Sequence, residues 1–314
     1  MTDRGRQQAE AIRSIQAFLE SKTCYEVLPV SFKLVMLDST LTMKGALLTM
    51  LQNGVISAPI WSSRTSGFAG LITAHDFVNA LRYYIDRPRL LDELNHVKLE
   101  ELQTIERQLG AQPFDTARTS PSLSLREACA GIIGTKAHRI ALVDSDPGSA
   151  QQVIVSVLTQ YRVLRFVALN CKETQLLNVP VRDLGITTTK VVSTTMDSPL
   201  KEVVTTLSQL GVSALPVVDE HGVLSNMYEL YDVLTLIKGN GYGDLDMTVG
   251  EALMRRAEDF EGVLTCRGSD TLSDIMETIR RSRLLRLFVV DERGVLEGVI
   301  TLADILKYIC NVNS

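Results

Sequence analysis

Four short segments carry the groups best suited to chemistry: Thr73-Ala74-His75-Asp76, Thr159-Gln160-Tyr161-Arg162, Glu229-Leu230-Tyr231-Asp232 and Thr301-Leu302-Ala303-Asp304. Each follows an apolar, strand-like run and precedes residues at helical spacing. A threonine with an acid three residues on can satisfy free backbone N–H groups at a helix start, which is a capping box and nothing more. A carboxylate at the same junction can also accept hydrogen bonds from both hydroxyls of a ribose. The helix N-terminus beside it offers N–H groups and a positive dipole end to an anion. The two roles are compatible, since one residue can cap and bind. Capping alone does not account for the second segment, which keeps Thr159 but carries Arg162. An arginine cannot accept from a ribose, yet it can hold a phosphate through two hydrogen bonds.

A second position varies in the same way. Just before a strand-like run stand Ile56-Ser57, His138-Arg139, Gly211-Val212-Ser213 and Leu285-Arg286. Arg139 and Arg286 precede apolar strands, where a charge needs a partner. A structural salt bridge is one answer for each. The other is that, with Arg162, they are phosphate ligands converging from different parts of the chain.

The elements that must position these groups are repeated. SALPVVDEHGVLSNMYELYDVLTLI (213–237) returns as LRLFVVDERGVLEGVITLADILKYI (285–309), with further echoes starting at Ser57 and His138. Self-similarity at this scale implies a duplicated module with pseudo-symmetric sites between copies. In the last copy Leu287–Asp291 reads as a buried strand, Glu292-Arg293-Gly294 as a turn and Leu296–Ile300 as the return strand. Ile305, Leu306, Tyr308 and Ile309 then fall at helical spacing. Upstream, Thr271–Arg281 reads as a helix with Leu272, Ile275, Met276 and Ile279 on one face. The third copy predicts a helix near Leu200–Leu210, a strand over Leu215–Asp219, a turn at Glu220-His221-Gly222 and a helix from near Asp232. The turns of copies one and two fall near Arg64–Gly67 and around Asp146-Pro147-Gly148. Each unit is thus a short leading strand, helix, strand, turn, strand and helix, a mixed α/β (α+β) fold. Two helices on one face of the sheet leave the other face open, so pairing of units is expected. Arg89–Gly110 reads as a linker helix or lid, and residues 240–250 connect copies three and four.

Composition narrows the function. Hydrophobic residues make up 45% and charged residues 22%, which fits a folded chain and argues against disorder. The net charge of -5 gives no support to a nucleic-acid partner. No apolar run is long enough for a bilayer, and MTDRGRQQAEAIRSIQ reads as a polar helix without a secretory core. Five scattered cysteines (Cys24, Cys129, Cys171, Cys266, Cys310) without a CxxC pair suggest buried, reduced thiols in an intracellular protein, and no metal site is legible. Coherently spaced Ser/His/Asp or Cys/His sets and a Walker A loop are absent, and Gly239-Asn240-Gly241-Tyr242-Gly243 reads as a linker, which argues against an enzyme.

The repeated units resemble cystathionine-β-synthase (CBS) domains. SKTCYEVLPVS (21–31), SVLTQYRVLRFVALN (156–170) and VGEALMRRAEDFEGVLTC (249–266) carry a more specific resemblance, over nearly the whole chain, to γ regulatory subunits of AMP-activated protein kinase, most of all the fungal, sucrose-nonfermenting type. The resemblance implies four CBS domains (β-α-β-β-α) in two pairs, forming a pseudo-symmetric disc around a basic channel. Their spans would be 31–87, 112–172, 184–240 and 255–314, with an N-terminal helix and partner-contact segment over 1–30 and a linker helix over 88–111. It implies adenine nucleotides (AMP, ADP or ATP) as ligands and no catalytic cofactor. Asp76, Asp232 and Asp304 are then ribose acceptors, with Arg162 marking the copy that lacks one. His138, Arg139 and Arg286 are phosphate contacts, and Ser213, Thr301, Thr73 and Thr159 line the clefts with Leu302 and Ala303. Thr188 lies beside the adenine, Val212 at an adjacent contact, and Arg256 faces the channel. Ile56, Tyr161, Gly211 and Leu285 depart from the animal pattern, each losing a phosphate ligand. The best-equipped site combines Asp304, Thr301, Ser213, Thr188, Arg139 and Arg286.

On this resemblance the chain is a non-catalytic energy sensor in a heterotrimeric kinase of cytoplasm and nucleus, responding to energy or glucose limitation beside a kinase α subunit and a β scaffold. The competing reading is a constitutive scaffold of the same kinase. The edge around Trp61 and the helix Ala9–Leu19 are candidate β-subunit contacts, although the helix could simply pack on its own domain.

Overall fold

The computed structural model describes residues 3–87, 93, 96–111, 114–145, 152–238, 245–256, 260 and 262–311. A first helix, α1 (Asp3–Ser21), precedes unit one: β1 (Leu37–Asp38), α2 (Met43–Gln52), β2 (Ser57–Ser62), β3 (Gly67–Thr73) and α3 (Ala74–Ile85). After α4 (Leu99–Gln108), unit two comprises β4 (Arg118–Thr119), α5 (Leu125–Ile133), β5 (Arg139–Ser145), β6 (Gln152–Thr159) and α6 (Gln160–Asn170). Unit three has α7 (Leu200–Leu210), β7 (Ala214–Val218), β8 (Leu224–Glu229) and α8 (Leu230–Lys238), followed by the short α9 (Val249–Leu253). Unit four runs β9 (Thr265–Cys266), α10 (Leu272–Arg281), β10 (Arg286–Val290), β11 (Leu296–Thr301) and α11 (Leu302–Cys310).

The repeat predicted from sequence is the repeat observed. In units one, two and four a two-residue leading strand pairs in parallel with the first hairpin strand; in unit three a single bridge from Thr194 to Val217 takes its place. All four hairpins are antiparallel and slip register once, at Ile60/Trp61, Leu142/Val143, Val217/Val218 and Val289/Val290. One bulge at the same place in each copy marks a shared bend. The buried face of α10 is Leu272, Ile275, Met276 and Ile279. The helix of unit three begins at Leu230, two residues before the expected start. The expected turn at Asp146-Pro147-Gly148, the linker Gly239-Asn240-Gly241-Tyr242-Gly243 and the start of the 89–110 stretch lie outside the described residues.

Pairing takes two forms. The open sheet faces of units one and two meet through Leu71, Ala141, Val143 and Ile154. Units three and four join at their turns, where Leu224 donates to the Gly294 carbonyl and Leu296 to that of Gly222 (2.9 and 3.0 Å). Gly222 and Gly294 both adopt positive φ (77° and 82°), which favours glycine. The helical faces then fuse the pairs. One core joins units one and three through residues such as Phe77, Leu207 and Leu234. A second joins two and four through Leu164, Met276 and Leu306. Contacts 1–2, 2–4, 4–3 and 3–1 close a ring, which no single unit's pattern reveals.

The two candidate partner surfaces are both partly taken up by contacts within the fold. Trp61 is half-buried against the sheet contact of units one and two, where its ring supplies apolar cover. Helix α1 packs inward: Ala11, Ile15 and Leu19 join the 2–4 core, and Gln8 donates to the Tyr308 hydroxyl (2.7 Å) while accepting from the Val179 amide.

The connection into unit three crosses unit four. Thr188 and Val299 exchange backbone hydrogen bonds of 3.0 Å each, and this segment lies over Gly298, where a Cβ would stand 2.5 Å from Thr187 Cγ2 and 2.8 Å from the Thr188 carbonyl oxygen. Gly298→Ala is therefore expected to cost about 1–3 kcal/mol through overpacking. Gly134→Ala, whose Cβ meets nothing closer than 3.6 Å, is expected to cost less. Denaturant melts of the two variants check this; equal stability would contradict it.

Candidate functional site

Hairpin register builds the site. The last pairs are Ser57 with Thr73, Arg139 with Thr159, Ala214 with Glu229 and Arg286 with Thr301. The residue that opens each first strand thus lies at or beside the head of the segment that caps the last helix. The two variable positions of the sequence become one location in space.

Units are then cross-linked in pairs by arginine. From unit four, Arg286 donates to Ser213 Oγ (2.9 Å) and to Glu229 Oε2 (3.0 Å) in unit three. From unit two, Arg139 donates to Ser57 Oγ in unit one and to the Ala137 carbonyl (2.9 Å). The salt-bridge alternative therefore holds for Arg286, whose side chain is 8% exposed and paired with Glu229. Arg139 pairs with no carboxylate among the described residues. Burial, with Arg283 nearby, lowers its guanidinium to about 10, against the opposing pull of Asp76. Of the two, Arg139 is the cation less neutralised by its surroundings.

The capping segments reach four different ends. In unit four Asp304 Oδ2 accepts from the Thr301 amide (2.8 Å) and hydroxyl (2.6 Å), and the Asp304 amide donates back to Thr301 Oγ1 (3.3 Å). Among the described residues no hydrogen bond reaches its Oδ1. In unit one Asp76 accepts from the Thr73 amide (2.5 Å) and hydroxyl (2.9 Å), but only 4% of the residue is exposed. Glu106 of α4, 0% exposed, covers it, and among the described residues no donor reaches Glu106 Oε2. In unit three Asp232 receives the Glu229 amide (2.8 Å) and both arms of Arg256, Nε to Oδ1 (2.8 Å) and Nη2 to Oδ2 (2.5 Å). Arg256 also bonds Asn226 Oδ1 and the Met227 carbonyl and lies over the Phe260 ring. Its guanidinium is thus held on Asp232, because a carboxylate with a side chain only 10% exposed requires a cation. In unit two Thr159 accepts from the Arg162 amide (3.2 Å), and the guanidinium bonds Ser156 Oγ and the Val157 carbonyl.

Around Asp304 the structure gathers much of the expected set. Thr188 sits beside β11 through Val299, two residues before Thr301. Leu302 and Ala303 are buried behind the helix start. Val212 packs against the 1–3 core, and Ser213 is exposed. His138 has φ 52°, a left-handed conformation uncommon for a side-chain-bearing residue. Burial pushes its imidazole below the usual range, Arg139 and Lys307 reinforce this, and Asp115 and Asp304 oppose it. His138 of unit two therefore shares an electrostatic environment with α11 of unit four. Arg139 instead reaches toward unit one. Sequence reading missed Lys307, one turn beyond Asp304, and Glu106, and it gave no binding role to Ser57 or Glu229 at the variable positions. Arg139 and Arg286 occupy equivalent positions in the repeat, and Ser57 holds that position in unit one, whereas Ser213 lies one residue before it. Gly211 is the left-handed cap of α7 (φ 63°) and serves the backbone.

Residues 181–239 and 246–311 match the CBS domain family, and units one and two repeat that topology. The chain is 50% identical over 305 residues to the 5'-AMP-activated protein kinase subunit gamma of Kluyveromyces lactis, covering 96% of this chain and 93% of that one. It is also 50% identical over 304 residues to the same subunit of Saccharomyces cerevisiae, covering 96% and 94%. This chain belongs to the AMP-activated protein kinase γ-subunit family. As a γ subunit it is a regulatory chain, not a catalytic one. Cattle subunit gamma-3 is 35% identical over 92% of this chain and 58% of its own length. The fold is shared with a Methanocaldococcus jannaschii protein offered as an archaeal homologue of γ-AMPK (TM-score 0.73, 21% identity, 91% and 99% covered). Among the described residues, no helix of this γ subunit is long and apolar enough to cross a membrane, and no group of three metal-ligating side chains occurs.

The Asp76–Glu106 pair carries a pH signature. Burial and the neighbouring Asp76 push Glu106 up to about 9 from 4.5. A folded-state value above the unfolded one means that this stability is fully present below pH 4.5 and drains away as pH rises toward about 9. Glu106→Gln keeps the shape and removes the titration. Its stability relative to wild type is expected to climb between pH 5 and 8, at a limiting slope of about 1.4 kcal/mol per pH unit. Urea melts at several pH values check this, and parallel curves would contradict it.

Proposed function

We propose that this chain is an adenine-nucleotide-sensing γ subunit that modulates a Ser/Thr protein kinase in response to energy or glucose limitation. It would act in cytoplasm and nucleus, beside a kinase α subunit and a β scaffold. AMP, ADP and ATP share ribose and base and differ in phosphate charge. A carboxylate for the ribose beside cations for the phosphates therefore reports their ratio by exchange. The observation that carries this reading is Asp304, the one ribose-acceptor carboxylate among the described residues that is neither sealed nor tied to an arginine, with Oδ1 free and His138 and Lys307 about it. Binding regulates only if the three nucleotides favour different states of the assembled kinase.

Calorimetric titration with all three nucleotides tests the reading. Each charge-assisted hydrogen bond lost to a buried ligand is worth about 1.5–3 kcal/mol, so Asp304→Ala is expected to weaken binding at least tenfold. Asp304→Asn retains a cap for Thr301 and separates ligand loss from helix damage. Asp232→Ala should leave the strong site intact. No binding by wild type, or equal binding by Asp304→Ala, would overturn the reading.

A scaffold reading, with little nucleotide control, is favoured by the sealed Asp76, the latched Asp232 and the Arg286–Glu229 pair. Activity and dephosphorylation of the assembled kinase, compared with and without ADP, separate the two. Insensitivity in an intact complex favours the scaffold.

A further inference from the structure

The arginine that crosses from unit four to unit three meets an acid, and its counterpart between units two and one does not. Arg286 and Arg139 open equivalent strands, opposite Thr301 and Thr159. Arg286 donates to Ser213 Oγ (2.9 Å) and to Glu229 Oε2 (3.0 Å). Arg139 donates to Ser57 Oγ and to the Ala137 carbonyl (2.9 Å), and pairs with no carboxylate among the described residues. An arginine at this strand start is thus accommodated by neutral partners in one pair of units. Packing alone does not call for Glu229.

Nor does its own helix call for it. Glu229 heads the capping segment of unit three, where the other copies have Thr73, Thr159 and Thr301. In those copies a hydroxyl serves the helix start: Thr73 and Thr301 donate to Asp76 and Asp304, and Thr159 accepts from the Arg162 amide. Glutamate has no such hydroxyl and is not among the residues that cap well. Its side chain instead leaves the helix start and reaches across to unit four. There it holds Arg286, at the strand start that faces Thr301 and hence the Asp304 cap.

A carboxylate in this place acts on a ligand through repulsion, which discriminates between ligands as effectively as attraction does. ADP and ATP carry more negative charge than AMP, so the repulsion grows with each added phosphate. We propose, on the nucleotide-sensing reading above, that Glu229 is a specificity-determining residue: its carboxylate, held on Arg286, tilts the site around Asp304 toward the nucleotide with the fewest phosphates.

Titration of the full chain with AMP, ADP and ATP at low salt tests this, in wild type and in Glu229→Gln. That variant keeps the shape and an oxygen for Arg286 while removing the charge. Two additional ligand charges about 10 Å from the lost carboxylate, at the dielectric of water, correspond to about a fourfold change in affinity. The ratio of ATP to AMP affinity is therefore expected to rise about fourfold or more, with ADP between. Glu229→Thr, the residue of the other three copies, should shift the ratio the same way and decides the matter if the glutamine variant does not fold. An unchanged ratio, whether all three affinities rise, fall or stay, would mean a structural role only and overturn the proposal while leaving nucleotide sensing intact. Failure of both variants to fold would also assign Glu229 to the fold and overturn it. Absence of binding by wild type would overturn both readings.

Discussion

Everything at the site depends on where the hairpins end. Because β10 and β11 finish with Arg286 opposite Thr301, a charged residue at one strand start and a helix cap at the other strand end share a few ångströms of space. The same register in the other three units fixes four such locations. The bulge in the middle of each hairpin bends the sheet, and the open face must be covered by a second unit. That cover is the neighbour whose serine, Ser57 or Ser213, receives the arginine. Pairing of units and assembly of the site are one event.

What differs among the copies is how a buried carboxylate is kept from being an isolated charge, which would be costly. Unit one uses a second carboxyl and a proton, through Glu106 on the intervening helix. Unit three uses a fork of hydrogen bonds from Arg256. Unit two removes the acid and turns Arg162 onto Ser156 and the Val157 carbonyl. Unit four leaves its acid partly exposed at a helix start, neither sealed by a second carboxyl nor held by an arginine among the described residues. The ring has four equivalent positions by fold and one by chemistry.

The fold was legible because its signals are local and repeated four times. Apolar runs of strand length, glycine turns such as Gly294 and the 3.6-period stripe of α10 each sit within a dozen residues. The ring was not legible, since the helix faces that join unit one to three and two to four carry the same apolar pattern as any covered face. Thr301 and Asp304 could be singled out from comparison of the copies. The partners that decide the fate of Asp76 and Asp232 could not. Glu106 lies 30 residues from Asp76 in a stretch that reads as a solvated helix, and Arg256 lies 24 residues beyond Asp232. Nothing in local spacing says that either side chain turns inward; only the packing of α4 on α3 and the return of the chain after α9 bring them there.

The two cross-unit arginines are not equivalent as anion ligands, and this bears on how charge could be read. Arg286 already holds Glu229 at 3.0 Å. A phosphate arriving there gains only the difference between its own attraction and that of the carboxylate, and it must bear the repulsion of Glu229. Arg139 makes only neutral hydrogen bonds among the described residues, with Arg283 close by. An anion near it relieves a repulsion and meets an unneutralised charge. Sensitivity to the number of phosphates is therefore set less by how many arginines converge than by which of them are already paired. Glu229 stands where the other three copies have threonine. That one acid moderates the unit-three side of the pair, and it leaves the stronger pull on a polyanion to the side formed by units one and two.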